Sequence, residues 1–126
     1  MHNKHIKFIF GDIEIKAVTR DTPTAKAILD TLPIRSTVQT WGEEVYFSVP
    51  VEAQLEDDAK DVVQAGEIAF WVEGNCIAIG FGPTPISRGE EIRLATATNI
   101  WADAQDNVRE LITVQSQDSV MIEWDK

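Results

Sequence analysis

The residues of this chain whose types and spacing suit chemistry gather around the stretch Thr40 to Val51, TWGEEVYFSVPV. Trp41 and Glu43 stand two apart, and Tyr46 follows in the same segment. An aromatic wall beside a partly desolvated carboxylate can hold a cation, a hydroxyl or an amine. Further along, Gly80-Phe81-Gly82-Pro83-Thr84-Pro85 brings more wall residues. That loop lacks the lysine and the following helix of a phosphate loop, so it reads as a structured turn near a rim. The expected ligand-binding set is Trp41, Glu43, Tyr46, Phe81, Pro83 and Thr84, with a small molecule as the ligand. Asn99 either offers an amide to the same place or bonds backbone alone.

Other candidates carry less. Glu44 must face away from Glu43 in a regular strand, which argues against a two-carboxylate acid–base site. His2 and His5 have no cysteine or further histidine nearby, so no metal site is expected. Cys76 sits in an apolar strand beside Ile77, where a buried inert thiol is the default. A nucleophile there would need a base, and neither histidine is near in sequence. Ser48, Ser87 and Ser119 have no nucleophile-elbow context. No catalytic residue is assigned and no cofactor is expected.

The elements that must position these groups are mostly strands. Val45, Phe47 and Val49 share one parity and Glu44, Tyr46 and Ser48 the other, the period-two pattern of a half-buried strand. Trp41 and Glu43 share parity with Val45 and Phe47. If that parity faces the interior, both lie at one end of the strand, at a barrel mouth. A bulge at Gly42 would reverse this.

Before this strand, Ile6, Phe8 and Phe10 alternate, Gly11-Asp12 turns, and Ile13 and Ile15 alternate again, predicting an opening hairpin. Ala25, Ile28, Leu29 and Leu32 fall on one helical face, predicting a helix within Asp21 to Leu32 with Thr22 as cap, Pro23 in the first turn and Pro33 as the stop. Ser36 to Thr40 reads as a short strand. After Pro50, Glu52 to Lys60 is a polar surface loop.

Ile68 to Val72 and Cys76 to Phe81 form a second hairpin around Gly74-Asn75, apolar on both faces and so covered on both. The face of Cys76, Ala78 and Gly80 is small enough for another element to approach closely. Leu94 to Trp101 is a strand, Asp106 to Ile112 a short helix capped by Asp106, and Val120, Ile122 and Trp124 a last strand. About eight strands and two helices without βαβ alternation predict a mostly antiparallel barrel, in one domain over residues 1–126.

Composition bounds the partners. Of 126 residues, 44% are hydrophobic, enough for an ordinary core. The formal net charge of -10 disfavours nucleic acid and anionic membranes. One cysteine excludes an intrachain disulfide, and no signal-peptide pattern is read, so a cytoplasmic location is expected. The four tryptophans suit an interface, so a homo-oligomer or an assembly subunit is the alternative to a ligand-binding module.

Four pieces together carry a resemblance: TWGEEVYFSVPV at 40–51, Gly66-x-x-x-Phe70-Trp71, FGPTP at 81–85 and ATATN at 95–99. In this order they resemble a family of small cyclophilin-like domains of uncharacterised function from bacteria and archaea. In one departure, Val72-Glu73 follow Trp71 where the family has prolines. The resemblance implies a closed eight-stranded barrel with two capping helices and no particular reaction. Related barrels occur as prolyl isomerases and within allophanate hydrolase subunits. The isomerases use an arginine that follows a Phe-His pair on the strand after the first helix. Here Ser36-Thr37-Val38-Gln39-Thr40-Trp41 has neither histidine nor arginine, Arg35 lies at the helix exit, and Arg88 and Arg93 lie on or beside a loop. The expectation is no isomerase activity.

Overall fold

A computed structural model of the protein describes residues 3–125; of the histidine pair, His2 lies outside them. Ten strands form one antiparallel network. In chain order they are β1 (His5–Phe10), β2 (Ile13–Thr19), β3 (Ile34–Thr37), β4 (Gln39–Thr40), β5 (Glu44–Ser48), β6 (Lys60–Val63), β7 (Glu67–Trp71), β8 (Cys76–Gly80), β9 (Ile92–Ala104) and β10 (Ser119–Trp124). Helix α1 (Pro23–Leu29) and a 3-10 helix (Val108–Thr113) complete the elements of the described residues. The sheet runs β3-β10-β1-β2-β9-β7-β8-β5-β4. The Ser36 hydroxyl donates to the Ser48 carbonyl at 2.6 Å, tying β3 to β5 and nearly closing the barrel.

The strand count exceeds the expected eight for two reasons. The predicted strand Ser36 to Thr40 divides at Val38, whose amide and carbonyl bond Asp118 and Gln117, so its halves serve the two opposite edges. Lys60 to Val63, the end of the predicted loop and the residues after it, pairs as β6 with the first half of β9.

Interior side chains follow the predicted parity. Phe8, Phe47, Phe70 and Trp101 are fully or almost fully buried, and Phe47 meets the rings of Phe8 and Phe10 edge-on at 6.4 and 6.2 Å. Burial of this size is the main stabilising term of such a domain.

Helix α1 starts as predicted, with the Thr22 side chain accepting from the Ala25 amide at 3.1 Å. It ends earlier than Leu32, because Thr31 and Leu32 close tighter turns onto Ile28 and Leu29. Its buried face is Thr24, Ala25 and Ile28, while Leu29 is only partly buried. Thr24 is held there by Asn99, whose amide nitrogen donates to Thr24 Oγ1 at 2.9 Å and to the Gln54 carbonyl at 2.8 Å, while its oxygen accepts from the Glu56 amide at 2.8 Å. Asn99 thus pins the loop after β5 to the barrel.

The second predicted helix is the 3-10 helix. Its cap is Asn107, not Asp106, which instead accepts from the Lys16 amide. Ile112 is exposed and does not share the buried face of Val108 and Leu111.

Strand β9 spans 13 residues and serves two layers. Its second half, from Asn99, pairs with β7 and then β2; its first half pairs with β6. A register shift opposite Ile68-Ala69 accompanies the passage. The first half packs over the outside of the sheet, on the small face read from Ala78 and Gly80. A Cβ on Gly80 would collide with Ile92. Val63, Ala69, Ala78, Ile92, Leu94 and Ile100 form a second apolar cluster there, with Tyr46 packed against it.

Candidate functional site

The site is built on the outer face of β5. Val45 and Phe47 point inward, so Glu44 and Tyr46 point outward, opposite Gly80 and Ala78 of β8. The crossing half of β9 roofs this face through Leu94, Thr96 and Thr98, and Trp71 at the end of β7 walls one side. Trp41 joins from the β4–β5 turn. The cavity so formed is about 170 Å³, open on one side, and predominantly apolar.

Glu44 is the polar exception. It is 6% exposed, and its Oε1 has no hydrogen-bond partner among the described residues. Desolvation by burial pushes its pKa from 4.5 up to about 7. Among the described residues no Lys, Arg or His lines the cavity, and besides Glu44, Tyr46 is its only titratable lining side chain. Cys76 lies on the same sheet face two residues before Ala78. Its thiol donates to the Gly74 carbonyl at 3.3 Å, with the Ser48 hydroxyl 3.8 Å away. Burial raises the thiol's pKa, the Ser48 hydroxyl opposes this, and the Glu44 charge adds to the rise.

The turn explains why Glu43 is elsewhere. Gly42 adopts φ +60, and the Trp41 amide donates to the Glu44 carbonyl at 3.0 Å. A Cβ at Gly42 would lie 2.8 Å from Thr84 Cα, so the turn sits hard against the 83–85 segment. Alternation does not run through such a turn. Trp41 therefore lands on the Tyr46 side and Glu43 at the barrel end. There Glu43 Oε1 accepts from Arg109 Nη1 at 2.5 Å, and Arg109 also donates to the Phe81 carbonyl at 2.9 Å with its guanidinium 5.8 Å from the Phe81 ring. This pair is partly exposed, a surface contact of small energy.

Of the six expected residues, Trp41 and Tyr46 come together. Phe81 is buried in the barrel core, Pro83 is exposed, and Thr84 is buried with its hydroxyl given to the Arg93 carbonyl. The expected mouth is filled: aromatic rings occupy the interior, and Val108 and Leu111 of the 3-10 helix enter the core beside Arg109. Sequence reasoning missed Glu44, Trp71 and the residues of β9. The available signals were the shared parity of Glu44 with Tyr46 and the small face of β8. Asn99 turns to the loop and Thr24 and lines no part of the cavity.

His5 is exposed on β1, and among the described residues no group of three His, Cys, Asp or Glu is arranged to hold a metal. No helix among those residues is long and apolar enough to cross a membrane.

Comparison with known proteins fits this architecture. The solution structure of a hypothetical protein from Archaeoglobus fulgidus superposes with a TM-score of 0.83 at 34% identity, covering 98% of this chain and 95% of that one. No protein of curated function matches the chain. The sequence pattern of the family described as cyclophilin-like matches residues 4–123, and the chain belongs to that family.

Proposed function

We propose that this protein binds a small molecule in the cavity between β5, β8 and the crossing half of β9, and that it has no prolyl-isomerase activity. The observation that carries the reading is the Glu44 carboxylate oxygen, buried without a partner in a cavity walled by Trp41, Tyr46 and Trp71. A buried unsatisfied carboxylate costs stability, and a bound donor would relieve that cost. The tryptophans favour this over an assembly subunit. Trp101 is fully buried and two more line the cavity, leaving Trp124, 39% exposed, as the one large indole surface for a partner.

A fragment screen by thermal shift and tryptophan fluorescence tests the reading. Saturable binding that Trp41→Ala or Trp71→Ala weakens is expected. A screen in which no compound moves the melting temperature would sink it.

The absence of isomerase activity rests on the arginines. Lowering the ~18–20 kcal/mol barrier of an X–Pro bond needs a donor that acts on the twisted state alone. No arginine lines the cavity. Arg35 and Arg88 are exposed, Arg93 is held by Glu91 and Asp61, and Arg109 by Glu43. A protease-coupled assay on an Ala-Pro-Phe peptide should give the buffer rate. Catalysis above it that Arg35→Ala or Arg88→Ala abolishes would overturn this.

A further inference from the structure

We infer that the ligand of this cavity is a small organic cation, a protonated amine on a compact apolar body, with its ammonium against Glu44 and its body against Trp41, Tyr46 and Trp71. The inference rests on the cavity being a binding site, as argued above, and adds the chemical class.

Size sets the first bound. A cavity of about 170 Å³ is close to the ~150 Å³ that accommodates benzene in a protein interior. A body of one ring or a short branched chain fits, and the open side leaves room for a longer substituent.

Charge sets the second. Among the described residues the only ionisable carboxyl lining the cavity is Glu44, and no basic side chain of theirs lines it to compensate. An anionic ligand would meet an uncompensated carboxylate. An ammonium supplies what Oε1 lacks, an N–H donor with opposite charge, and charge-assisted bonds of this kind are the stronger ones. Indole and phenol rings add attraction for a cation at their faces. The net charge of -10 draws cations toward the surface as a whole.

An inorganic divalent ion is a poorer match. It wants several oxygen ligands, and among the described residues no group of three acidic, His or Cys side chains is arranged to hold a metal. A neutral donor satisfies the oxygen but not the charge. Because burial holds the Glu44 pKa near 7, an ammonium must also displace a proton at mildly acid pH, which makes the preference for a cation pH-dependent. Tyr46 on β5 and Cys76 on β8 are the other titratable groups on this sheet face, and burial pushes the Cys76 thiol further up. Trp71 of β7 and the roofing residues Leu94, Ala95, Thr96 and Thr98 of β9 carry no charge.

The test pairs benzylammonium with benzyl alcohol, titrated into the full chain by calorimetry and tryptophan fluorescence at pH 8 and pH 5. At pH 8 benzylammonium should bind about tenfold tighter than the alcohol, the preference expected of one charge-assisted bond. The preference should shrink at pH 5, where Glu44 holds its proton, and vanish at both values in Glu44→Gln, which should still take the alcohol. Equal affinities at pH 8, or a preference that survives in Glu44→Gln, would overturn the cation inference while the cavity remains a binding site. Binding of neither probe to the wild-type protein would refute the inference and count against the cavity itself.

Discussion

Replacing Glu44 with glutamine should remove a pH-dependent penalty from the folded state. In the unfolded chain this carboxyl releases its proton near 4.5; in the folded chain burial delays release to about 7. Between these values unfolding releases a proton, so stability falls as the pH rises. The contribution is full below 4.5 and lost above about 7. Integrated from pH 5 to pH 8 it is about 2.5 kcal/mol. Against a total stability of ~5–15 kcal/mol this is large.

Glutamine keeps the shape and does not titrate. Its buried amide carries a cost of its own, about 1–3 kcal/mol, but the same at both pH values. The comparison is therefore a difference of differences. Urea unfolding of both proteins at pH 5 and pH 8 should show the wild type losing about 2.5 kcal/mol more than the variant across that interval. Other carboxylates are common to both proteins and cancel. The Arg93 guanidinium holds Glu91 below the usual range. Burial raises Glu67, but the Gln64 amide with Lys60 and Arg20 outweighs it, so both titrate beneath the window. Parallel pH slopes for the two proteins would refute the reasoning and show that Glu44 is ionised or solvated in the folded state.

Three further outcomes follow from the packing. Phe47→Ala should cost ~3–5 kcal/mol by denaturant midpoint and Tyr46→Ala clearly less, since only Phe47 points into the barrel; the reverse order would invert the parity of β5. Gly80→Ala should cost ~1–3 kcal/mol, because its methyl meets Ile92 and must lift the crossing half of β9; an unchanged midpoint would mean that half is not seated on β8. Asn99→Leu should cost ~1–3 kcal/mol for each group it orphans and speed hydrogen exchange at the Glu56 amide; unchanged protection there would show the loop held by other contacts.

The barrel was legible because its signals are local. Ile6, Phe8 and Phe10 against Ile13 and Ile15 declare a hairpin by period alone, and the Thr22-Pro23 start of α1 is a matter of four consecutive residues. The site was legible only in halves. Periodicity states which side chains share a face but not what covers that face, since the cover comes from residues distant in the chain. Reading alternation from Val45 back to Glu43 and Trp41 failed because Gly42 at φ +60 turns the chain between them.

The acid therefore changed identity. Glu43 went to Arg109 at the barrel end, and Glu44, discounted as a strand exterior, went under the roof of β9. Two features of the sequence together imply that roof. The hairpin of β7 and β8 is apolar on both faces, so its outer face must be covered, and the small residues Ala78 and Gly80 require the cover to come close. Ala78 and Gly80 stand opposite Tyr46 and Glu44 in the β5–β8 register. A carboxylate in phase with a face that has to be buried is a buried carboxylate, and without a basic neighbour in the sequence pattern its charge has to be met by a proton or by a ligand.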